Sequence, residues 1–160
     1  MRISPDSFEY RYQLGRALAK VGKREQAIDA YHNALSLNPR YLEAYLGISE
    51  ILLESGNPRE ALKYQKEAVD IAPNRLELKI ELARQFSNLG LRSAALDHLT
   101  EVIKLEPNSF DAHYLSAEIY RTSNMDEQSI TALDECLRID PTSFDAADFR
   151  NQIIQGLDKQ

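Results

Sequence analysis

Side chains that commonly catalyse reactions or bind metals are few and scattered in this sequence. The three histidines, His32, His98 and His113, share no spacing that would place two metal ligands on one helix face. The single cysteine, Cys136, cannot form an internal disulfide. The six glycines form no phosphate-binding loop, and the carboxylates are spread as on solvated helix faces. We therefore expect no enzymatic activity, no metal site and no cofactor.

The proline spacing indicates that the chain is built from internal repeats. Four of the six prolines follow one another at intervals of 34 residues: Pro39, Pro73, Pro107 and Pro141. The same step back from the first of them reaches Pro5, and small residues such as Ala27, Ala61 and Ala95 keep the same interval. A constant period of this length is typical of helical-repeat proteins.

Each 34-residue unit is predicted to contain two helices. Apolar residues recur at helical spacing in the first half, as in Leu14 and Leu18, and in the second half, as in Leu99 and Ile103. Between the halves stand residues that tolerate the left-handed backbone of a helix end: Gly22, Gly56, Gly90 and Asn124. Small residues fall where the two helix backbones must approach closely. Cys136 occupies one of these sites and is interpreted as a buried structural thiol.

Together these features resemble the tetratricopeptide repeat family. The first unit matches the family pattern at Leu14, Gly15, Ala27, Tyr31, Ala34 and Pro39, and the later units match it less fully. The resemblance implies an all-α, right-handed superhelical solenoid, with repeats at residues 8–41, 42–75, 76–109 and 110–143. Residues 144–157 are expected to form a helix that caps the last repeat. Residues 1–7 are expected to be the remnant of a preceding repeat or a linker, as in a segment of a longer array.

The sequence also departs from the family pattern at several positions. Arg11, Lys79 and His113 stand where the family has its first large aromatic residue, and Gln65 stands where it has a phenylalanine. The fourth unit departs most, at Ser116, Asn124 and Ser129. We expect looser packing in that unit and no change of fold.

In this family, ligands usually lie in a concave groove lined by the first helix of each repeat. Its fifth repeat position is apolar in all four units here: Tyr12, Leu46, Ile80 and Tyr114. Such a row could hold an extended segment or an amphipathic helix of a partner. The alternative is that these side chains only pack against neighbouring first helices. Both interpretations stay open for Leu46 and Ile80. For Tyr12 and Tyr114 the binding interpretation is favoured, because a tyrosine side chain joins a rigid apolar ring to a polar tip.

The ninth repeat position alternates in charge along the predicted groove. It reads Arg16, Glu50, Arg84 and Glu118. Pairing between neighbouring repeats would neutralise the row, with a contribution of roughly 0–1 kcal/mol for each exposed pair. The alternative is a row of hydrogen-bonding groups that sets the register of a ligand. The remaining groove candidates are of mixed charge and indicate neither a phosphate track nor a strongly basic ligand: Lys20, Glu54, Asn88 and Arg121.

One subgroup of the family grips the acidic C-terminal tails of heat-shock chaperones with a clamp of lysine, asparagine and arginine. The matching positions here are Tyr12, Arg16, Gly47, Glu77 and Glu81. Only Arg16 could serve in such a clamp, and the two glutamates would repel the tail. The chain is therefore not expected to be a clamp of that kind.

The function predicted from these features is that of a scaffold or adaptor that binds another protein or a peptide. A net charge of −6 disfavours nucleic acid, including RNA bound by helical repeats. The chain has no apolar run that spans a bilayer, and a cytoplasmic location is the default expectation. The alternative function is a structural spacer or a self-associating segment of a longer protein, so a homo-oligomer stays open.

Overall fold

A computed structural model describes residues 7–157, and all the regular structure in that part of the chain is helical. Its nine helices follow one another with short connections. They are α1 (Phe8–Lys20), α2 (Arg24–Leu37), α3 (Leu42–Glu54), α4 (Pro58–Ile71), α5 (Leu76–Asn88), α6 (Arg92–Leu105), α7 (Phe110–Thr122), α8 (Asp126–Ile139) and α9 (Phe144–Leu157). The helices fall within the predicted repeats as pairs, with α9 in the segment predicted to cap the last repeat. Residues 1–6, most of the predicted remnant of a preceding repeat, lie outside the described residues.

The connection between the two helices of each repeat uses a left-handed residue at the predicted place. Gly22, Gly56 and Gly90 have φ of 76°, 76° and 77°, and Asn124 takes the same role with φ of 57°. In the first repeat the amide of Lys23 then donates to the carbonyl of Leu18 at 2.9 Å, which closes the end of α1. The sequence prediction of these four helix ends is confirmed.

The chain forms two compact units, whose boundary between Leu78 and Lys79 falls within α5. In the first unit, α2 packs against both α1 and α3. Small residues make this close packing possible, because Ala27, Ala34 and Ala44 are all completely buried where the helices meet. Ile48 and Leu52 on α3 fill the rest of this core.

In the second unit, α8 packs against α7 and α9. Its core joins Leu133 and Cys136 on α8 to Ala117 on α7 and to Ala146 and Ile153 on α9. Helix α9 therefore covers apolar surface of the fourth hairpin.

Two serines of the fourth repeat that depart from the family pattern are buried and hydrogen-bonded. Ser116 is only 5% exposed, and its hydroxyl donates to the carbonyl of Ala112 at 2.7 Å, although it also borders a surface cleft of about 280 Å³ between α6, α7 and α8. Looser packing there stays a prediction. Ser129 is completely buried and its hydroxyl donates to the carbonyl of Ala117 at 2.8 Å. At that position the substitution is accommodated by a hydrogen bond, and the expectation is wrong.

Candidate functional site

The predicted groove residues divide between the two units. The first unit carries Tyr12, Arg16, Lys20, Leu46 and Glu50, and the second carries Ile80, Arg84, Tyr114, Glu118 and Arg121. All lie on the first helices of their repeats. The four apolar members are half-buried, so each both packs against neighbours and presents some surface.

A cleft of about 310 Å³ opens on the first unit between α1, the start of α2, and α3. We call it the α1–α3 cleft. Its charged lining residues are Arg16, Lys20, Arg24, Glu50 and Glu54. Two further residues, Tyr31 and Gly47, line it between these charges. Three of the ten predicted residues therefore border one cavity.

The ring of Tyr31 reaches this cleft from α2 by passing between two glycines. A Cβ atom built on Gly15 would lie 2.6 Å from ring atoms Cδ1 and Cε1 of Tyr31. A Cβ atom on Gly47 would lie 2.7 Å from the ring atom Cζ and 3.0 Å from the hydroxyl oxygen. Only glycine leaves room for the ring on both sides, because real non-bonded carbon contacts are about 3.5–4.0 Å.

The sequence analysis assigned Tyr31 to the helix-packing pattern and did not identify it as a site residue. The structure buries its side chain to 4% exposure and yet leaves it among the residues that line the cleft. Burial is the largest cause that raises the pKa of the Tyr31 hydroxyl above its ordinary value of 10.0, followed by Tyr12 and Glu50. The group is therefore neutral at physiological pH and can donate a hydrogen bond. A signal for it was present in Gly47, which stands at a groove position of the family.

Tyr12 belongs to an aromatic cluster on the first unit. Its ring centroid lies 5.6 Å from that of Tyr31 and 5.1 Å from that of Tyr41, with the second pair edge to face. The guanidinium of Arg16 lies 5.8 Å from the Tyr12 ring centroid. The packing interpretation therefore applies to Tyr12 even though part of the ring stays exposed.

On the second unit a cleft of about 300 Å³ opens between α7 and α9. We call it the α7–α9 cleft, and its lining residues are Tyr114, Glu118, Asp145, Asp148, Phe149 and Gln152. The Tyr114 ring stacks on Phe110 with centroids 5.8 Å apart and lies 6.0 Å from Phe149. Burial and then Glu118 raise the pKa of the Tyr114 hydroxyl. This cleft combines aromatic surface with carboxylates.

The alternating charges behave differently in the two units. In the second unit Arg84 lies 3.9 Å from Glu118 and 3.7 Å from Glu81, so the predicted neutralising pair forms there. In the first unit Arg16 bonds to the Gln13 side chain at 3.2 Å and makes no ion pair with any carboxylate of residues 7–157. The α1–α3 cleft therefore keeps a cation whose counterpart in the second unit is paired.

Arg121, predicted as a groove residue, has a local structural partner. Its guanidinium binds the carboxylate of Asp126 at 2.7 Å, across the turn between α7 and α8. The ion pair is partly exposed and ties the end of one helix to the start of the next. Arg121 borders neither the α1–α3 cleft nor the α7–α9 cleft.

The potentially reactive side chains of the described residues provide neither a metal-binding group nor an accessible thiol. Within residues 7–157 no three side chains of histidine, cysteine, aspartate or glutamate group closely enough to hold a metal ion. Cys136 is completely buried, and burial raises the pKa of its thiol to about 12. The thiol is therefore protonated at neutral pH, which confirms its interpretation as a structural residue. None of the described helices is both long and apolar enough to cross a bilayer.

Paired helices of constant length, left-handed turns and small residues at the helix contacts define a helical-repeat protein. The sequence profile described as Tetratricopeptide repeat matches residues 12–75, and a second profile of the same description matches residues 110–143. Together they cover more than half of the chain, which belongs to the tetratricopeptide repeat family. No functionally curated protein matches the sequence significantly.

Solved structures of the same fold are similar to this chain at low sequence identity. A crystal structure of MamA is 23% identical with a TM-score of 0.76, covering 89% of this chain and 83% of MamA. YrrB, described as a tetratricopeptide repeat protein with an unusual peptide-binding site, is 20% identical with a TM-score of 0.61, covering 88% and 90%. A repeat protein from Parabacteroides merdae ATCC 43184 is 16% identical with a TM-score of 0.82, covering 94% and 61%.

Proposed function

We propose that this chain is a protein-interaction module, a scaffold or adaptor that binds a segment of a partner protein on the faces of its first helices. The observation that carries the proposal is that the α1–α3 cleft and the α7–α9 cleft both open among the predicted groove residues. Five of the ten predicted residues border them: Arg16, Lys20, Glu50, Tyr114 and Glu118.

The composition of these faces suits peptide recognition. Tyr114 at the α7–α9 cleft and the exposed part of Tyr12 beside the α1–α3 cleft provide rigid apolar area at little cost in conformational entropy. Charged side chains that line both clefts can select a sequence. The similarity to YrrB supports the proposal, because that protein is described as having a peptide-binding site. Membership of the tetratricopeptide repeat family supports it in the same way.

Selection from a random peptide library displayed on phage tests the proposal. The native chain should select peptides with a recurrent motif. A variant with Arg16→Ala and Tyr114→Ala, one change on each unit, should bind them at least about tenfold more weakly, as loss of contact residues does. A matched control with Lys63→Ala and Lys104→Ala, two exposed residues of second helices, should bind them unchanged.

Two outcomes contradict the proposal. If the double variant binds the selected peptides as well as the control does, recognition takes place on another surface. If no peptide is selected and the native chain instead shows a molecular mass that rises with concentration in sedimentation experiments, it is a self-associating or spacer segment. Circular dichroism of each variant verifies that the helices are retained before affinities are compared.

A further inference from the structure

The hydroxyl of Tyr31 stands at the end of an almost wholly buried side chain and reaches the α1–α3 cleft. Within residues 7–157 it has no hydrogen-bond partner, although the side chain is only 4% exposed. Two of the other tyrosines of this unit have hydrogen-bond partners. Tyr45 donates to the carbonyl of Pro39 at 3.0 Å, and the Tyr64 hydroxyl lies 3.3 Å from His32 Nε2.

In the described part of the chain, the fully buried polar side-chain atoms without a partner are Gln65 Oε1 and His98 Nδ1. The Tyr31 hydroxyl is not one of them, so it contacts solvent in the cleft, where it can donate to a ligand.

The position of the ring directs this hydroxyl into the α1–α3 cleft. Because Gly15 and Gly47 flank the ring, its edge passes between α1 and α3 and its hydroxyl end lies beside Gly47. Any larger residue at position 47 would fill the space next to the hydroxyl oxygen. The absence of a side chain there leaves the hydroxyl open to the cleft.

The charged residues that line the cleft are not balanced in number. Arg24 pairs with Glu54 across the cleft at 3.4 Å, which leaves Arg16, Lys20 and Glu50 as the other charged lining residues. Neither Arg16 nor Lys20 makes an ion pair with a carboxylate of residues 7–157. Two unpaired cations therefore face one unpaired carboxylate, an excess of one positive charge.

We propose that the α1–α3 cleft binds an acidic side chain, aspartate or glutamate, within a segment of a partner protein, an inference that rests on the proposed function above. The Tyr31 hydroxyl donates to one carboxylate oxygen, and Arg16 and Lys20 supply the opposite charge. Glu50 on the α3 side accepts a backbone N–H of the same segment. A residue inside a segment has backbone N–H groups on both sides of its side chain, which favours it over a C-terminal carboxylate.

The charge of the cleft selects a carboxylate over a doubly charged phosphate. Glu50 and Glu54 stand on one rim and would repel a second negative charge. The site also differs from the chaperone-tail clamp of the family. It is built around Tyr31, and the residue at the matching second-repeat position, Gly47, has no side chain to contribute.

Nuclear magnetic resonance titration of the isotopically labelled chain tests the inference with three peptides. The first is an acetylated, amidated heptapeptide of glycine and serine with one central glutamate. The second has glutamine in its place. The third has the glutamine and a free C-terminal carboxylate. The glutamate peptide should shift amide signals of α1 and α3 and bind at least about tenfold more tightly than the other two, since only it offers a carboxylate at an internal position.

Two variants separate binding from folding. Tyr31→Phe keeps the ring between the two glycines and removes only the unpartnered hydroxyl, so its thermal stability should not fall while its affinity for the glutamate peptide falls about fivefold or more. Tyr64→Phe is the matched control, because it removes a hydroxyl of the same unit that does not line the cleft, and it should leave the affinity unchanged.

Other outcomes overturn the inference. Equal binding of the glutamate and glutamine peptides would exclude carboxylate recognition, and preferential binding of the third peptide would assign the site to a C-terminus. Equal affinity of the native chain and Tyr31→Phe would remove the hydroxyl from the site. If library peptides bind this face but contain no acidic residue, the inference fails while the proposed function stands.

Discussion

The packing of Tyr31 between two glycines makes a strong prediction about stability. In an exposed helix, replacing glycine by alanine stabilises by about 1 kcal/mol because alanine has the better helix propensity. At Gly15 the new methyl group would lie 2.6 Å from two ring atoms of Tyr31 and 3.2 Å from the backbone carbonyl of Ala27. The ring would have to move by about 1 Å to reach an ordinary contact distance.

The size of the effect follows from these two opposing contributions. Overpacking of this kind costs about 1–3 kcal/mol, so Gly15→Ala should have a net effect between about zero and a loss of about 2 kcal/mol. Gly156 on α9 is the matched control, because a Cβ atom there meets nothing within 4 Å. Gly156→Ala should leave the stability unchanged or raise it by up to about 1 kcal/mol.

Thermal unfolding followed by circular dichroism measures the difference. The melting temperature of Gly15→Ala should lie several degrees below that of Gly156→Ala, at about 2–4 °C for each kcal/mol in a chain of this size. In a Tyr31→Leu background the narrower side chain should remove the clash, so that adding Gly15→Ala becomes neutral or stabilising. The reasoning is refuted if Gly15→Ala stabilises the native background as much as Gly156→Ala does.

Three further predictions follow from the same structure. The thiol of Cys136, buried with a pKa of about 12, should react with a thiol reagent at pH 8 only after the chain is unfolded; rapid reaction in the folded protein would contradict its burial. Four tyrosines have a pKa in the folded chain that is raised above the unfolded value of 10.0: Tyr31, Tyr41, Tyr64 and Tyr114. The stability that they provide is therefore present below pH 10 and is lost as the pH rises further. Phenolate absorbance of these groups should therefore rise above pH 10, and the melting temperature should fall in parallel. Titration of all four groups at pH 10, with no fall in the melting temperature, would contradict the predicted pKa shifts. Ser116→Leu should fill the cleft between α6, α7 and α8 and raise the stability by about 1 kcal/mol, measured by urea unfolding, and a loss of stability would show that the cleft cannot accept the larger side chain.

The sequence alone predicted an all-α chain of paired helices and the places where the first helix of each pair ends. The 34-residue period predicted the pairing, and the residue types at Gly22, Gly56, Gly90 and Asn124 predicted the left-handed turns. The turns are local features, because a positive φ restricts which residue can stand at one position whatever lies elsewhere in the chain. The buried role of Cys136 was predicted from the repeat spacing, which places it at a position otherwise held by small helix-packing residues.

The tertiary structure decided which of the predicted groove residues meet and which are already engaged. The same alternation of charge gives an ion pair between Arg84 and Glu118 in the second unit but leaves Arg16 unpaired in the first. Arg121 is held by Asp126, which no pattern in the first helices indicated. Ion pairs depend on side-chain directions and on distances of a few ångströms between helices, and repeat spacing does not determine these.

The α1–α3 cleft shows most clearly where the two sources of information separate. Sequence periodicity placed Tyr31 among the packing residues, and its side chain is indeed buried. Only the packing of three helices showed that its hydroxyl emerges beside Gly47 without a hydrogen-bond partner in the described part of the chain. The helical pattern is thus determined by the sequence through short-range restrictions on the backbone. The cleft is decided by tertiary structure, because it arises from the absence of a side chain on one helix facing a ring from another.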